Sequence, residues 1–144
     1  MFMLVSKFTR ERLIRFSDCD PAGIVFYPQY FVMLNGLVED WFNDELGIAY
    51  AALVLDRRIG LPTVRLEVDF RAVSRLGDHV DLSLQVDRLG GRSLGLELSC
   101  TGPDGDTRVR MRQVLVTTSL VTHRAVEIPS DIRAAIAHSV HIVQ

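Results

Sequence analysis

At Pro62 the apolar residues change their spacing, and that change constrains the fold more than any other feature. From Pro28 to Pro62 they recur at helical intervals, and for about fifty residues after it at roughly every second position. From Pro28 to about Leu46, Tyr30, Met33, Leu34, Leu37, Val38, Trp41 and Leu46 share one side of a helix. Asn35, Glu39, Asp40, Asn43 and Asp44 fill most of the other side. Pro28 suits a first helical position, where its missing N–H costs nothing, and Gly47 is a natural stop. Gly36 is a poor helix former and points to close approach by another backbone. A second, short helix is expected over 50–58.

Past Pro62, Val64, Leu66, Val68 and Phe70 alternate with charged residues. Val80, Leu82, Leu84 and Val86 do the same, as do Leu94, Leu96, Leu98 and Cys100 with Gly95, Glu97 and Ser99. This is the pattern of half-buried antiparallel strands. Gly90-Gly91 and the 103–106 stretch are turn signals between them. The last long strand, over 107–120, is less regular. Val109 and Met111 lie on one phase and Val114 and Val116 on the other, which predicts a bulge or a strong bend. Phe8 to Phe16 is expected as a first strand with Leu13 and Phe16 as apolar positions, and 127–137 as a terminal helix. One early helix followed by a meander of strands is an α+β arrangement, and the 28–46 helix is the element long enough to cover the sheet.

The 144 residues fit a single domain, 1–144, and 48% hydrophobic content supplies a real core. A net charge of −2 argues against nucleic acid or an anionic membrane as the main partner. Met1 to Val5 is too short for a signal or a span, so a cytoplasmic setting is expected. Cys19 and Cys100, without CxxC spacing, read as free thiols. No G-x-S-x-G elbow and no phosphate-binding glycine loop with Lys is present. His138 and His141 lack further ligand partners in the pattern, so no metal is expected.

The chemistry concentrates in residues 16–30, Phe-Ser-Asp-Cys-Asp-Pro-Ala-Gly-Ile-Val-Phe-Tyr-Pro-Gln-Tyr. Asp20 sits in a Pro/Gly turn shortly before the helix start at Tyr27-Pro28. That arrangement can set a carboxylate opposite helix-terminal N–H groups, which favour a developing oxyanion. Turn geometry alone also explains Asp before Pro, so the residues by themselves leave both roles open. Asp18 reads as a turn or capping carboxylate. Two flanking carboxylates disfavour a Cys19 thiolate nucleophile.

The run Asp20-Pro21-Ala22-Gly23-Ile24-Val25, followed by Tyr27-Pro28 and Tyr30, resembles the signature of the 4-hydroxybenzoyl-CoA thioesterase family. The similarity extends more loosely over about the whole chain, including 70–78 and the Gly90-Gly91 hairpin. It implies the hotdog fold, an antiparallel β-sheet wrapped around a long central helix. It further implies hydrolysis of a small, aromatic acyl-CoA thioester, with Asp20 as nucleophile or general base and the Tyr27 backbone N–H as oxyanion donor. Gly23 would admit the acyl group. Asn35 stands where 4-hydroxybenzoyl-specific enzymes carry an Asp, which removes a charge from the acyl site. Glu39, one turn on, is either a polar substitute or an exposed helix residue. Arg88, Gly90, Gly91, Arg92 and Ser93 occupy the hairpin where the family contacts coenzyme A phosphates, or form an ordinary solvated hairpin. Arg108, Arg110 and Arg112 are expected to pair with carboxylates across strands. The resemblance implies no cofactor beyond the coenzyme A of the substrate, and a homodimer or a dimer-of-dimers homotetramer. The rival readings are a thioesterase for short aliphatic acyl-CoA or acyl-carrier-protein thioesters, and a non-catalytic acyl-binding protein on the same fold.

Overall fold

The computed structural model describes residues 2–143, with side chains over 6–139. In chain order the strands are β1 (Phe2–Val5), β2 (Phe8–Leu13), β3 (Ile59–Gly60), β4 (Thr63–Phe70), β5 (His79–Leu89), β6 (Ser93–Thr101), β7 (Thr107–Val116), β8 (Thr118–Ser119) and β9 (Val140–Val143). The helices are α1 (Pro28–Asp40), α2 (Tyr50–Leu55) and α3 (Ser130–Ser139). Five strands form one antiparallel sheet in the order β2-β5-β6-β7-β4, β1 pairs with β9, and β3 with β8. This is the expected α+β architecture, a sheet curled around a long helix.

The helix forms where the periodicity places it, with Pro28 in the first turn. Its buried side, Tyr30, Met33, Leu34, Leu37 and Val38, lies against Val80, Leu82, Leu84, Leu94, Leu96, Leu98, Val109 and Met111 of the sheet. Each such Leu contributes about 2 kcal/mol by leaving water. Beyond Asp40 the chain widens into a π-helical turn, Trp41–Leu46, before Gly47 ends it at φ 68°. The wider turn lets the adjacent Trp41 and Phe42 both point inward with Leu46. Asn43 Oδ1 then accepts the Tyr50 N–H at 2.8 Å and starts α2, which ends at Leu55 and is shorter than expected.

Several expectations change. Leu13 and Phe16 are exposed, because β2 stops at Leu13 and Phe16 opens a short 3-10 turn. Gly36 is exposed and a Cβ there would meet nothing within 4 Å, so among the described residues no other backbone approaches it. The strand β4 forms, but Val64, Leu66 and Phe70 are exposed. It is an edge strand, and alternation alone does not reveal that its apolar face lacks a cover. The predicted phase switch in the last strand is absent: Val109, Met111, Gln113 and Leu115 all lie on the buried phase of β7. A buried Gln interrupts the apolar row, and the bulge sits in the partner β4 between Thr63 and Arg65. The terminal helix begins at Ser130, after Pro129, and not at Glu127. No helix among the described residues is long and apolar enough to cross a membrane.

Because β4 and β5 are not neighbours, loop 71–78 crosses the end of the sheet from one edge toward the other. Arg108 is its anchor. It is buried, donates to Val73 O at 2.8 Å and pairs with Asp78 at 2.9 Å and Asp106 at 2.7 Å. The hydrogen bonds from Asp78 and Asp106 hold the Arg108 pKa above its ordinary value. Arg110 pairs with Glu97 diagonally across the open face, since the register sets Arg112 opposite Glu97 and Ser99 opposite Arg110.

Candidate functional site

The segment from Asp18 to Phe26 is a tight hairpin that delivers the chain into α1. Phe26 N–H donates to Asp18 O at 3.0 Å, Asp20 N–H to Ile24 O at 2.9 Å, and Gly23 N–H to Asp20 O at 3.0 Å. Gly23 has φ 80°, the left-handed conformation that glycine adopts at no steric cost, and a Cβ there would meet open space. Asp20 is half-buried at this turn and accepts the Ala22 N–H at 2.8 Å through Oδ1. Asp18 is buried and structural. It accepts from Arg15 N–H and from Arg12, each at 2.9 Å.

Tyr27 precedes the first helical residue, and Gln29 N–H and Tyr30 N–H close back on Phe26 O and Tyr27 O. The Tyr27 N–H has no hydrogen-bond partner among the described residues. An unpaired donor at a helix start carries partial positive charge. Asp20, Gly23 and Tyr27 therefore belong to one short unit, whose two arms are about one strand spacing, ~5 Å, apart.

Loop 71–78 holds that unit. Val25 N–H donates to Ser74 O and Leu76 N–H to Gly23 O, both at 2.9 Å, and Ile24 bridges Arg75. Ser74, fully buried, also meets the Tyr30 hydroxyl at 2.9 Å. Burial raises the Tyr30 pKa and lifts Cys100, next to Ser74, to about 11. Cys19 is a free thiol whose pKa is raised by burial and then by Asp18 and Asp20, so it stays protonated at neutral pH.

Aromatic rings flank the helix start. Tyr27 lies 5.9 Å from Phe70 and 6.4 Å from Phe31, edge to face, and Phe26 lies 5.7 Å from Tyr27. From Phe31 a groove of about 370 Å³ runs between α1 and the β4 edge, lined by Leu34, Asn35, Leu66, Met111 and Gln113. Asn35 is about 12 Å beyond Tyr27 along the helix axis at 1.5 Å per residue. Glu39 does not share this groove. It faces a second one on the β2 side with Arg10, Arg12 and Gly36.

The hairpin of Arg88, Gly90, Gly91, Arg92 and Ser93 lies at the other end of the sheet. The length of β5, on the order of 30 Å, separates it from Asp20. Its carbonyls are tied down: Gly91 O accepts Ile128 N–H and Arg92 O accepts Thr117 N–H, each at 2.9 Å, and Arg133 donates to Gly90 O at 2.6 Å. Arg92 reaches Glu127 at 3.3 Å across an exposed surface, and Arg88 is exposed without an ion pair among the described residues. One chain thus carries Asp20, Gly23 and Tyr27 on the one hairpin that leads into α1, sets Asn35 in a groove farther along the helix, and keeps the Arg88–Ser93 hairpin remote.

Sequence reasoning missed Ser74, Gln113 and the Phe31–Phe70 pair; it gave Arg108 carboxylate partners across strands, and the structure supplies Asp106 from the β6–β7 turn and Asp78 from the crossing loop. Gln113 left a signal, the interrupted phase of its strand. Ser74 left none, since its role arises from a crossing loop.

Residues 14–136 match the thioesterase-like superfamily. The chain is 29% identical over 131 residues to a 4-hydroxybenzoyl-CoA thioesterase of Pseudomonas sp. (strain CBS-3), across 85% of this chain and 92% of that protein. It is 33% identical over 81 residues to a 1,4-dihydroxy-2-naphthoyl-CoA hydrolase of Synechococcus elongatus, across 56% of this chain and 59% of that protein. The solved structure of BH1999 gentisyl-coenzyme A thioesterase superposes with a TM-score of 0.79 at 27% identity, covering 90% of this chain and 99% of that one. With the helix, the curled sheet and the match over most of its length, the chain belongs to the thioesterase-like superfamily, in its hotdog fold.

Proposed function

We propose that the protein hydrolyses an aromatic acyl-CoA thioester to the free acid and coenzyme A. The observation that carries this is the unpaired Tyr27 N–H at the helix start, at the end of the hairpin whose turn holds Asp20. The similarity to thioesterases of hydroxylated aromatic acyl groups supports the substrate class. A thioester carbonyl seated on the Tyr27 N–H is polarised, and the developing oxyanion gains the charge of the helix terminus. Asp20 either attacks the carbonyl carbon or takes a proton from an attacking water. In the first route the thiolate of coenzyme A leaves and water then cleaves the mixed anhydride, restoring the carboxylate. In the second, water adds directly and the thiolate leaves with the proton. Both consume one water and release one acid and one thiol.

The separation of the hairpin from Asp20 supports a site shared by two copies. The exposed Val64, Leu66 and Phe70 lie on the unpaired edge β4. Two β4 edges meeting antiparallel about a two-fold axis set the Thr63 end of one copy beside the Phe70 end of the other. The Arg88–Ser93 hairpin of one copy then approaches Asp20 of its partner, and Arg88, Arg92 and the backbone donors of Gly91 and Ser93 meet the coenzyme A phosphates.

Thiol release measured across benzoyl-, 4-hydroxybenzoyl-, phenylacetyl- and short-chain acyl-CoA tests the reading. Turnover of the aromatic thioesters at rates above the aliphatic ones is expected. A preference for short aliphatic acyl-CoA overturns the aromatic assignment, and no turnover of any thioester overturns the activity.

A further inference from the structure

Gln113 is the one buried polar residue on the inward phase of β7, between Met111 and Leu115, and it is 8% exposed. A buried amide in an apolar layer is costly unless it is hydrogen-bonded. Its Nε2 donates to Thr63 Oγ1 at 2.8 Å. An amide offers two donors and an acceptor oxygen, so this single bond leaves most of its capacity unused. Its oxygen accepts no hydrogen bond among the described residues, and the side chain shares the inward phase of β7 with Met111 and reaches Thr63, both of which line the groove between α1 and β4. Asn35 stands on the α1 wall of the same groove, and the remaining lining is largely apolar, from Phe31, Leu34, Leu66 and Met111.

The two amides are neutral, and the lining holds no cation, so the groove suits an uncharged oxygen substituent and not a carboxylate or phosphate. A cavity of about 150 Å³ holds one benzene ring. At about 370 Å³ this groove has room for two fused rings. It also continues from the aromatic rings at the helix start, where Phe31 touches both.

We propose that Gln113 is a specificity-determining residue: its amide, with Asn35 across the groove, hydrogen-bonds a neutral hydroxyl or carbonyl on the far edge of a two-ring aromatic acyl group. This rests on the thioesterase reading above. A Thr63 staple alone would give Gln113 a purely structural role, and the two accounts differ in what they predict for substrates.

The experiment compares kcat/KM for 6-hydroxy-2-naphthoyl-CoA and 2-naphthoyl-CoA on the native protein, Gln113→Met and Thr63→Val. The native protein favours the hydroxylated substrate about three- to tenfold, the range of one or two neutral hydrogen bonds. Gln113→Met, similar in shape and adaptable in packing, brings the ratio near one, with the loss falling on the hydroxylated substrate. Thr63→Val removes the staple and keeps the preference. An unchanged ratio in Gln113→Met overturns the proposal. So does an equal loss on both substrates in Gln113→Met and Thr63→Val, which marks a structural staple. A changed sedimentation of Gln113→Met with an intact ratio also overturns it, since a second copy then fills the groove. Equilibrium dialysis of 6-hydroxy-2-naphthoate and 2-naphthoate separates this proposal from the activity. If no thioester is cleaved, tighter binding of the hydroxylated acid by the native protein, lost in Gln113→Met, still supports the role of Gln113, and equal binding overturns it.

Discussion

The Tyr30 hydroxyl and the Ser74 hydroxyl lie 2.9 Å apart in the interior, joining α1 to the loop that crosses the sheet end. The backbone carbonyl of the same Ser74 holds Val25, five residues after Asp20. One serine thus fixes the helix start and the carboxylate turn relative to each other.

Ser74→Ala removes the hydroxyl and leaves the Tyr30 hydroxyl unpaired in the core, a cost of about 1–3 kcal/mol in stability. The expected kinetic signature is a several-fold lower kcat with little change in KM, and recovery in Ser74→Thr. Steady-state kinetics of both variants check this. A raised KM with native kcat would place Ser74 in substrate binding instead.

Asp78 has its carboxyl held below the usual carboxylate range, first by the Arg75 backbone N–H and then by Arg108. Glu97, through Arg110, and Asp131, through Arg57, shift the same way. A depressed folded pKa contributes stability that is present above the unfolded value, about 4, and lost as pH falls through the lower folded value. The urea midpoint is therefore expected to be nearly flat from pH 7 to about 5 and to drop below about 4. Asp78→Asn lowers the midpoint at neutral pH and shallows the acid drop. An unchanged acid slope in that variant contradicts the anchoring role of the Arg108–Asp78 pair.

The exposed β4 edge predicts self-association. Sedimentation at micromolar concentration is expected to show a dimer or a tetramer. Val64→Glu puts a charge on that edge outside the lining of the Asn35–Gln113 groove, and it is expected to shift the population toward monomer with a matching fall in kcat/KM. A native monomer that turns over aromatic acyl-CoA at full rate contradicts the shared site.

Asn35 offers a neutral hydrogen bond, worth about 1 kcal/mol, where a carboxylate would offer about 1.5–3. The native preference for 4-hydroxybenzoyl-CoA over benzoyl-CoA is expected to stay within about tenfold, and Asn35→Asp raises it. The ratio of kcat/KM values on both proteins decides. A native preference of a hundredfold or more shows that another residue serves the hydroxyl.

The helix, the five sheet strands and the Asp20 turn were legible because each is a local pattern: 3.6-residue spacing, alternation, and Pro/Gly punctuation. Gln113 misled the reading of β7, since a polar residue on the buried phase mimics a phase change. The exposure of β4 was hidden because alternation reports two faces and not what covers them. Ser74 and Arg108 act through contacts 30 or more residues away in sequence, which no local pattern encodes. The family resemblance placed the Arg88–Ser93 hairpin at the site, but only the strand order shows that one chain keeps it a sheet length from Asp20.

The role of Asp20 is the central claim, and single-turnover hydrolysis of benzoyl-CoA by Asp20→Asn tests it most directly. The substitution keeps shape and removes charge. It is expected to slow the chemical step about 100-fold or more, as loss of a principal acid–base or nucleophilic group does, with benzoyl-CoA binding and the thermal midpoint near native. Asp18→Asn, which loses its bonds to Arg12 and Arg15, lowers stability more than turnover. Near-native single-turnover rates in Asp20→Asn, with loss of hydrolysis in Asp18→Asn, would contradict the account.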